Sequence, residues 1–262
     1  MTAVTATILP LREGSGPPGA ETGMRTQLLA VGGSTLDGQP SAALFLWAHS
    51  HYREPFEFGL HRHERLEVLS VILEGAMSHY DTASGRWADL RAGDLQMMWS
   101  GPGISHVERA AAGTRGFQIQ FDPGQDIAAR QRPSYQDFPA ASFTARPAGD
   151  ALVTSFIGDG GPIETHTEGL SARRVRVPAG SRAVLETGSG RFTLACLIGG
   201  AATVNGAHAT VGAAVSLNGA ATMTVEATAP TDLFSVSLPA TPSYQPQRHD
   251  PSAGNPRPPW RR

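Results

Sequence analysis

Short apolar runs, each closed by a turn within about eight to twelve residues, limit what this chain can fold into. In the first half the runs are TQLLAV, AALFLWAHS, RLEVLSVILEG, AMSHYD, DLQMMWS and GFQIQF. Turn signals such as Asp37-Gly38, Ser84-Gly85 and Ala92-Gly93-Asp94 separate them. Runs this short and this regularly interrupted are strands rather than helices. The second half repeats the texture with RRVRVPAGS, FTLACLIGG, ATVNGAHATVG, AAVSLNG, ATMTVEAT and DLFSVSL. LEVLSVILEGAMSHYDTASGRWADLRAGDLQMM and LACLIGGAATVNGAHATVGAAVSLNG share one rhythm of strand, Gly, strand, turn, strand, Gly, strand. The chain is therefore expected to carry two copies of one antiparallel β-sandwich or barrel. Its 30 Gly, 20 Pro and 17% charged residues suit many tight turns better than a helical bundle.

The expected organisation is a flexible N-terminal arm over 1–25, a first β-domain over 26–122 and a linker over 123–150. A second β-domain follows over 151–239, then a disordered Pro/Arg tail over 240–262. The linker holds Pro123, Pro133, Pro139 and Pro147, with one helical turn expected in QDIAARQ. A net charge of −2 leaves no electrostatic footprint for nucleic acid, so direct nucleic-acid binding is not expected. No run approaches the ~18 apolar residues of a membrane span, and MTAVTATILPLREG lacks the features of a signal peptide. The expected compartment is the cytoplasm. The single Cys196, inside FTLACLIGG, forms no intramolecular disulfide and reads as a small buried hydrophobe.

Chemistry concentrates in two tripeptides, His61-Arg62-His63 and His106-Val107-Glu108. Residues two apart on a strand share a face, so each tripeptide can aim both polar side chains at one point. Three imidazoles and a carboxylate suit a divalent transition metal such as iron, manganese, nickel or copper. The residues between the tripeptides fit three strands of a meander, which would return the second pair beside the first at a barrel mouth. Glu67 competes with Glu108 for the carboxylate position, because on a regular strand it shares the parity of His61 and His63. Glu108 is favoured because it shares the face of His106. A bulge between 63 and 67 would turn Glu67 away and leave it to orient an imidazole. His79 and Asp81 read either as a polar pair beside a turn or as contacts to a ligand imidazole or substrate. His166-Thr167-Glu168 imitates the second motif without a His-x-His partner and reads as a surface pair. His208 reads as a turn residue, and His49, His51 and His249 carry no pattern.

The stretch LHRHERLEVLSVILEGAMSHYDTASGRWADLRAGDLQMMWSGPGISHVE, residues 60–108, resembles the core of the pirin family. It matches that family's His-x-His, Leu73-Glu74-Gly75, His-x-Asp, Gly93-Asp94 with Gln96 and Met98, and the closing Gly101, Gly103, Ile104, His106 and Glu108. PSYQDFP at 133–139 is similar to the family's interdomain stretch. The resemblance implies an all-β bicupin, two β-barrel or jelly-roll (cupin) domains packed face to face, with metal in the N-terminal one alone. It implies His61, His63, His106 and Glu108 as the ligands and Fe(II) as the usual metal, with Mn, Ni, Cu or Zn as substitutes. Some bacterial members open flavonols with dioxygen, and a eukaryotic member is an iron-dependent transcriptional co-regulator. The chain departs from the family pattern at Arg62, Glu64-Arg65, Trp99-Ser100 and FQIQFDP. These positions are expected to rim the metal pocket and point to a substrate other than the common flavonol, with Arg62 and Arg65 favouring an anionic one.

The leading functional reading is a metal-dependent dioxygenase, acting with dioxygen on a flavonol-like, catecholic or enolic small molecule of secondary metabolism. Glu108 would be the base that takes the substrate's hydroxyl proton. Trp99, Met97, Met98, Phe56 and Phe58 would either wall an aromatic guest or simply fill the barrel. The alternatives are a non-catalytic iron- or redox-sensing module that binds a protein partner, and a Lewis-acid isomerase or cyclase.

Overall fold

Two kinds of strand build the molecule. Ala76–Asp81 and Ile104–Ala110 alternate between buried and more exposed positions, as strands with one face on a core and one toward solvent do. Glu67–Glu74 and Leu95–Trp99 are almost entirely buried, so both of their faces are covered. The computed structural model describes residues 5–9, 13–15, 23–35 and 37–247, and the described chain divides into two compact units. Helix is confined to one turn at Gln125–Arg130, where QDIAARQ predicts it, and a 3-10 turn at Ala140–Ser142. Among the described residues no helix is long and apolar enough to cross a membrane.

The unit holding residues 44–140 pairs an eight-stranded sheet with a four-stranded one. The large sheet runs Ser134–Phe138, Leu95–Trp99, Glu67–Glu74, Thr114–Phe121, Leu44–Tyr52, Met24–Val31 and Glu13–Ser15, with Ser34–Thr35 pairing beside Met24–Val31. The small sheet runs Phe56–His63, Ile104–Ala110, Ala76–Asp81 and Trp87–Arg91. The unit holding residues 141–244 uses the same order. Its small sheet runs Arg182–Glu186, Thr222–Ala227, Ala201–Val204 and Ala207–Thr210, and its large sheet centres on Ala214–Asn218, Arg191–Gly199, Thr231–Pro239, Ser171–Val177 and Ala151–Ile157. The shared rhythm of the two sequence halves is thus a shared topology, that of a cupin sandwich in each unit.

The path between the His-bearing segments differs from the expected meander. After His63 the chain crosses to the large sheet at Glu67–Glu74 and returns to the small sheet for Ala76–Asp81 and Trp87–Arg91. It crosses again at Leu95–Trp99 before reaching Ile104–Ala110. Four strands separate the two motifs, the first and last in the large sheet and the middle two in the small one.

Several expected boundaries also shift. Thr5–Leu9, read as part of a loose arm, pairs with Ala214–Asn218, and Leu9 is buried; its β-branched run TATIL favours this. Glu13–Ser15 pairs with Arg25–Gln27. Within the stretch read as a linker, Ser134–Phe138 pairs with Leu95–Trp99 and Arg146–Ala148 pairs with Ala151–Val153. The prolines are compatible with this, since Pro133 and Pro139 flank a strand and Pro147 sits on an edge strand. The start of the tail is held as well: Ser243 donates twice to Glu168, and Gln247 donates its side-chain amide to the Arg65 carbonyl. The rest of the expected tail, with His249, lies outside the described residues. Cys196 is fully buried, as its apolar context predicts.

Gly75 makes the corner at which the chain leaves the large sheet for the small one. Its φ of 76° lies in the left-handed region, and a Cβ there would meet the Thr114 Oγ1 at 2.6 Å and its Cα at 2.7 Å. Thr114 is buried and hydrogen-bonds both polar groups of the Ala76 backbone, so it cannot move aside. Gly75→Ala is expected to lower stability by roughly 2–4 kcal/mol, read as a fall in the denaturant midpoint. An unchanged midpoint would mean that the corner relaxes freely.

Candidate metal centre

The small sheet brings the two tripeptides together. The strand Phe56–His63 and the strand Ile104–Ala110 are antiparallel neighbours with His61 directly opposite His106 and His63 opposite Ile104. The register breaks between His106 and Glu108, because Glu108 faces Phe58 and the first strand carries one extra residue there. On the other side of Ile104–Ala110, Asp81 faces His106 and His79 faces Glu108. His63, His79, Asp81, His106 and Glu108 are all buried. His61 is only partly so and marks the side of the cluster that opens outward.

Ring centroids lie 4.3 Å apart for His61 and His106, 4.8 Å for His63 and His106, and 5.1 Å for His61 and His63. The hydrogen-bonding partners constrain the tautomers. His61 Nδ1 sits 2.8 Å from the Gly59 carbonyl, which can only accept, so that nitrogen donates and His61 Nε2 carries a lone pair. That lone pair is aimed at His106 Nε2, 2.8 Å away. His63 Nε2 is buried with no hydrogen-bond partner among the described residues. Glu108 Oε2 is 4.0 Å from His106 Nε2. Imidazole nitrogens converging with one unpartnered, beside a carboxylate, form a donor set that fits a divalent transition metal. His61, His63 and His106 bring one ligand atom each within 4.8 Å of one another, and so do His79, His106 and Glu108.

Burial and mutual repulsion keep His63 and His106 neutral. His63 is pushed down to about 3 by burial first and then by His61 and His79. His106 is held well below its ordinary value by burial, with His63, His61 and His79 adding to it. Neutral imidazole is the form that ligates metal. Tyr52 is raised by burial and then by the Glu108 charge.

The competing carboxylate is placed elsewhere. Arg65 has a φ of 58°, the small-sheet strand ends at His63, and Glu67 begins a strand of the large sheet. Glu67 is buried opposite Trp99 and Phe121. Strand alternation puts it on the face away from Val68 and Ser70, which point toward the His/Glu cluster. The parity it shares with His61 and His63 is lost at the change of sheet. Trp99 and Met97 fall on that same far face, so they do not rim the cluster as expected. Met98 packs with Val68, Ile104 and Tyr135 on the near face. Phe56 and Phe58 pack against the core formed by Met24, Tyr52, Ile72, Met77, Leu90 and Ala110.

Arg62 bonds Glu64 and the Pro102 carbonyl, and Arg65 bonds Gln125. Gly103 leaves room for this, since a Cβ there would overlap the Arg62 guanidinium. His166 and Glu168 lie apart from any metal-competent group of the described residues, and His208 is exposed on the strand Ala207–Thr210 rather than in a turn.

Sequence reasoning underweighted His79 and did not single out Gln118. His79 Nδ1 lies 3.5 Å from His106 Nδ1, and its Nε2 lies 3.4 Å from Asp81 Oδ2. Asp81 also accepts from Ala83, Ser84 and the Ser84 hydroxyl, which closes the turn beside it. The His-x-Asp spacing was the available signal. Gln118 donates to Glu108 Oε2 at 2.9 Å. It comes from the large sheet, and no local spacing marks it. A cavity of about 20 Å³, lined by Ser50, Tyr52, Ser70, Met77, Glu108 and Gln118, has room for one water-sized molecule. In the second unit the inward positions of the matching strands carry Ala183, Leu185, Met223 and Val225, all buried in an apolar core.

A two-sheet β-sandwich with His and Glu side chains gathered inside one end is a cupin. The pirin family model matches residues 42–121. A candidate quercetin 2,3-dioxygenase of Pseudomonas aeruginosa is 30% identical over 174 residues, covering 63% of this chain and 70% of that protein. One of Zymomonas mobilis is 35% identical over 108 residues, covering 40% of this chain and 44% of its own length, so that match spans less than half of the relative. A bacterial pirin from Escherichia coli, solved in complex with nickel(II), superimposes with a TM-score of 0.73 at 17% identity, covering 90% of this chain and 99% of that one. The chain belongs to the pirin family, and its architecture is the family's bicupin.

The depressed histidines predict how metal-free protein responds to acid. His49, on Leu44–Tyr52, is lowered to about 4 by burial, then by Arg115 and His51. His49, His63 and His106 are neutral when folded but titrate near 6.5 when unfolded, so unfolding takes up protons below that pH. Stability present above about pH 6.5 is therefore lost as pH falls toward the folded values, by up to ~1.4 kcal/mol per pH unit for each group. Urea midpoints of chelated protein at pH 7, 6 and 5 should fall steadily. His49→Gln should lessen the slope by about one proton, whereas midpoints that do not vary with pH would refute the assignment.

Proposed function

We propose that this protein is a metal-dependent dioxygenase acting on a small enolic, catecholic or flavonol-like molecule. In this reading His61, His63, His106 and Glu108 hold a divalent cation. The observation that carries it is the convergence of His61 Nε2, which bears a lone pair, with His106 Nε2, the unpartnered His63 Nε2 and the Glu108 carboxylate at one end of one barrel. The names of the relatives and the nickel(II) of the E. coli pirin support it. Fe(II) is the first assignment because the chemistry consumes dioxygen, with Ni, Mn, Cu and Zn as alternatives. When bound, such a cation supplies Lewis acidity that acidifies an enolic hydroxyl and a redox centre for dioxygen.

The protein's own groups divide the remaining work. His61 is partly exposed and marks the side from which a substrate enters. Glu108 is the one carboxylate of the described residues that groups with these imidazoles, and it accepts the substrate's hydroxyl proton.

The test is anaerobic reloading of chelated protein with Fe(II), followed by oxygen-electrode assays on flavonols, catechols and enols. Wild-type protein is expected to hold one metal per chain and to consume oxygen with at least one of these classes. His63→Ala and His106→Ala should lose stoichiometric metal. Glu108→Gln should slow oxygen uptake by about 10²–10⁴-fold. Full metal binding by both histidine variants, or no oxygen consumption by loaded wild type on any enolisable compound, would overturn the reading.

A further inference from the structure

The Glu108 carboxylate does not stand alone inside the barrel. Gln118 Nε2 donates to its Oε2 at 2.9 Å, and Gln120 Nε2 donates to Gln118 Oε1 at 3.1 Å. Both glutamines lie on Thr114–Phe121, two residues apart and so on one face. That strand is central in the large sheet, hydrogen-bonded on both sides to Glu67–Glu74 and Leu44–Tyr52. Gln118 sits opposite Ser70 and Ala48, and Gln120 opposite Val68 and Leu46. Gln120 and Glu108 are 5% and 4% exposed, and Gln118 between them is half-buried.

The polarity of the chain is determined. An ionised carboxylate only accepts, so Gln118 must turn its NH₂ toward Glu108 and its oxygen away. Gln120 donates to that oxygen. A flipped Gln118 would set oxygen against carboxylate and nitrogen against nitrogen, losing both bonds at once. Gln120 thus locks the amide of Gln118, and Gln118 in turn fixes a carboxylate that has three side-chain torsions of its own.

Resting on the metal-centre reading above, we propose that Gln118, oriented by Gln120, is a positioning residue that holds the Glu108 carboxylate turned toward the three imidazoles. It acts through Glu108 and touches neither metal nor substrate. The relay sets metal affinity, as the partners of ligating carboxylates do, rather than the stability of the barrel.

Ni(II) titration by calorimetry tests this with wild type, Gln118→Met, Gln120→Met and the double variant. Methionine keeps the length of glutamine and removes its amide. Gln118→Met is expected to raise the Ni(II) Kd by about 10- to 100-fold, with a metal-free thermal midpoint near that of wild type and an altered visible spectrum of the Co(II)-loaded protein. Gln120→Met should raise Kd by less, and its effect should vanish in the Gln118→Met background. Wild-type affinity and an unchanged Co(II) spectrum in Gln118→Met would overturn the proposal. So would a Gln120→Met effect that persists in full when Gln118 is already replaced. Should Gln118→Met not fold, Gln120→Met decides alone: weaker Ni(II) binding with an intact midpoint supports the relay, and unchanged binding overturns it. Loss of the relay with tight wild-type binding leaves the metal centre standing, whereas a wild-type protein that binds no Ni(II) overturns both.

Discussion

One extra residue in the strand Phe56–His63 decides what the barrel can contain. His61 and His63 point inward at odd positions, yet Phe56 and Phe58 also pack inward, at even ones. A regular strand cannot do both, because side chains alternate. The register break opposite His106 and Glu108 absorbs the difference, as a β-bulge does. It leaves Leu60 exposed and places the Gly59 carbonyl where it accepts from His61 Nδ1. The imidazole pair, the aromatic core and the tautomer of the first histidine therefore share one irregularity. Without it, either the ligand pair or the Phe pair would face solvent.

From that point the polar groups follow one another by hydrogen-bond direction. Gly59 settles His61, which leaves a lone pair facing His106. On the far side His106 meets His79, which lies beside Asp81, and Asp81 is already held by the turn it closes. On the large-sheet side Gln120 settles Gln118 and Gln118 settles Glu108. Burial costs such groups several kcal/mol each when they are unpaired, so a cluster this rich in buried histidine persists only because nearly every atom has a partner. His63 Nε2 and His79 Nε2 are left without a hydrogen bond, and of these His63 Nε2 lies where the other nitrogens converge.

The second unit shows that the fold does not require this chemistry. It has the same sheet order, with Ala183, Leu185, Met223 and Val225 filling its interior. A duplicated barrel can therefore be packed with apolar side chains throughout. Polar groups in the first unit are an addition to that scaffold, supported by a sheet whose strands are buried on both faces.

The strand rhythm, the duplication and the two His-bearing tripeptides were legible in the chain, because all three depend on residues two apart or on short repeats, and such spacing survives without knowledge of the fold. The choice of Glu108 over Glu67 was readable only in part: shared face with His106 favoured it, but the change of sheet after His63 is what removes Glu67. Trp99 was expected at the rim from its position along the sequence, whereas strand alternation turns it, with Met97, to the face away from the cluster. Residues 5–9 and 134–138 looked like arm and linker because pairing partners for edge strands lie far away in sequence. Sequence alone thus determined which side chains could ligate a metal, since a strand's two-residue period is local. Only the tertiary structure decided which groups surround them, because His79 and Gln118 arrive on different strands of different sheets, and strand register between distant segments is a property of the folded barrel.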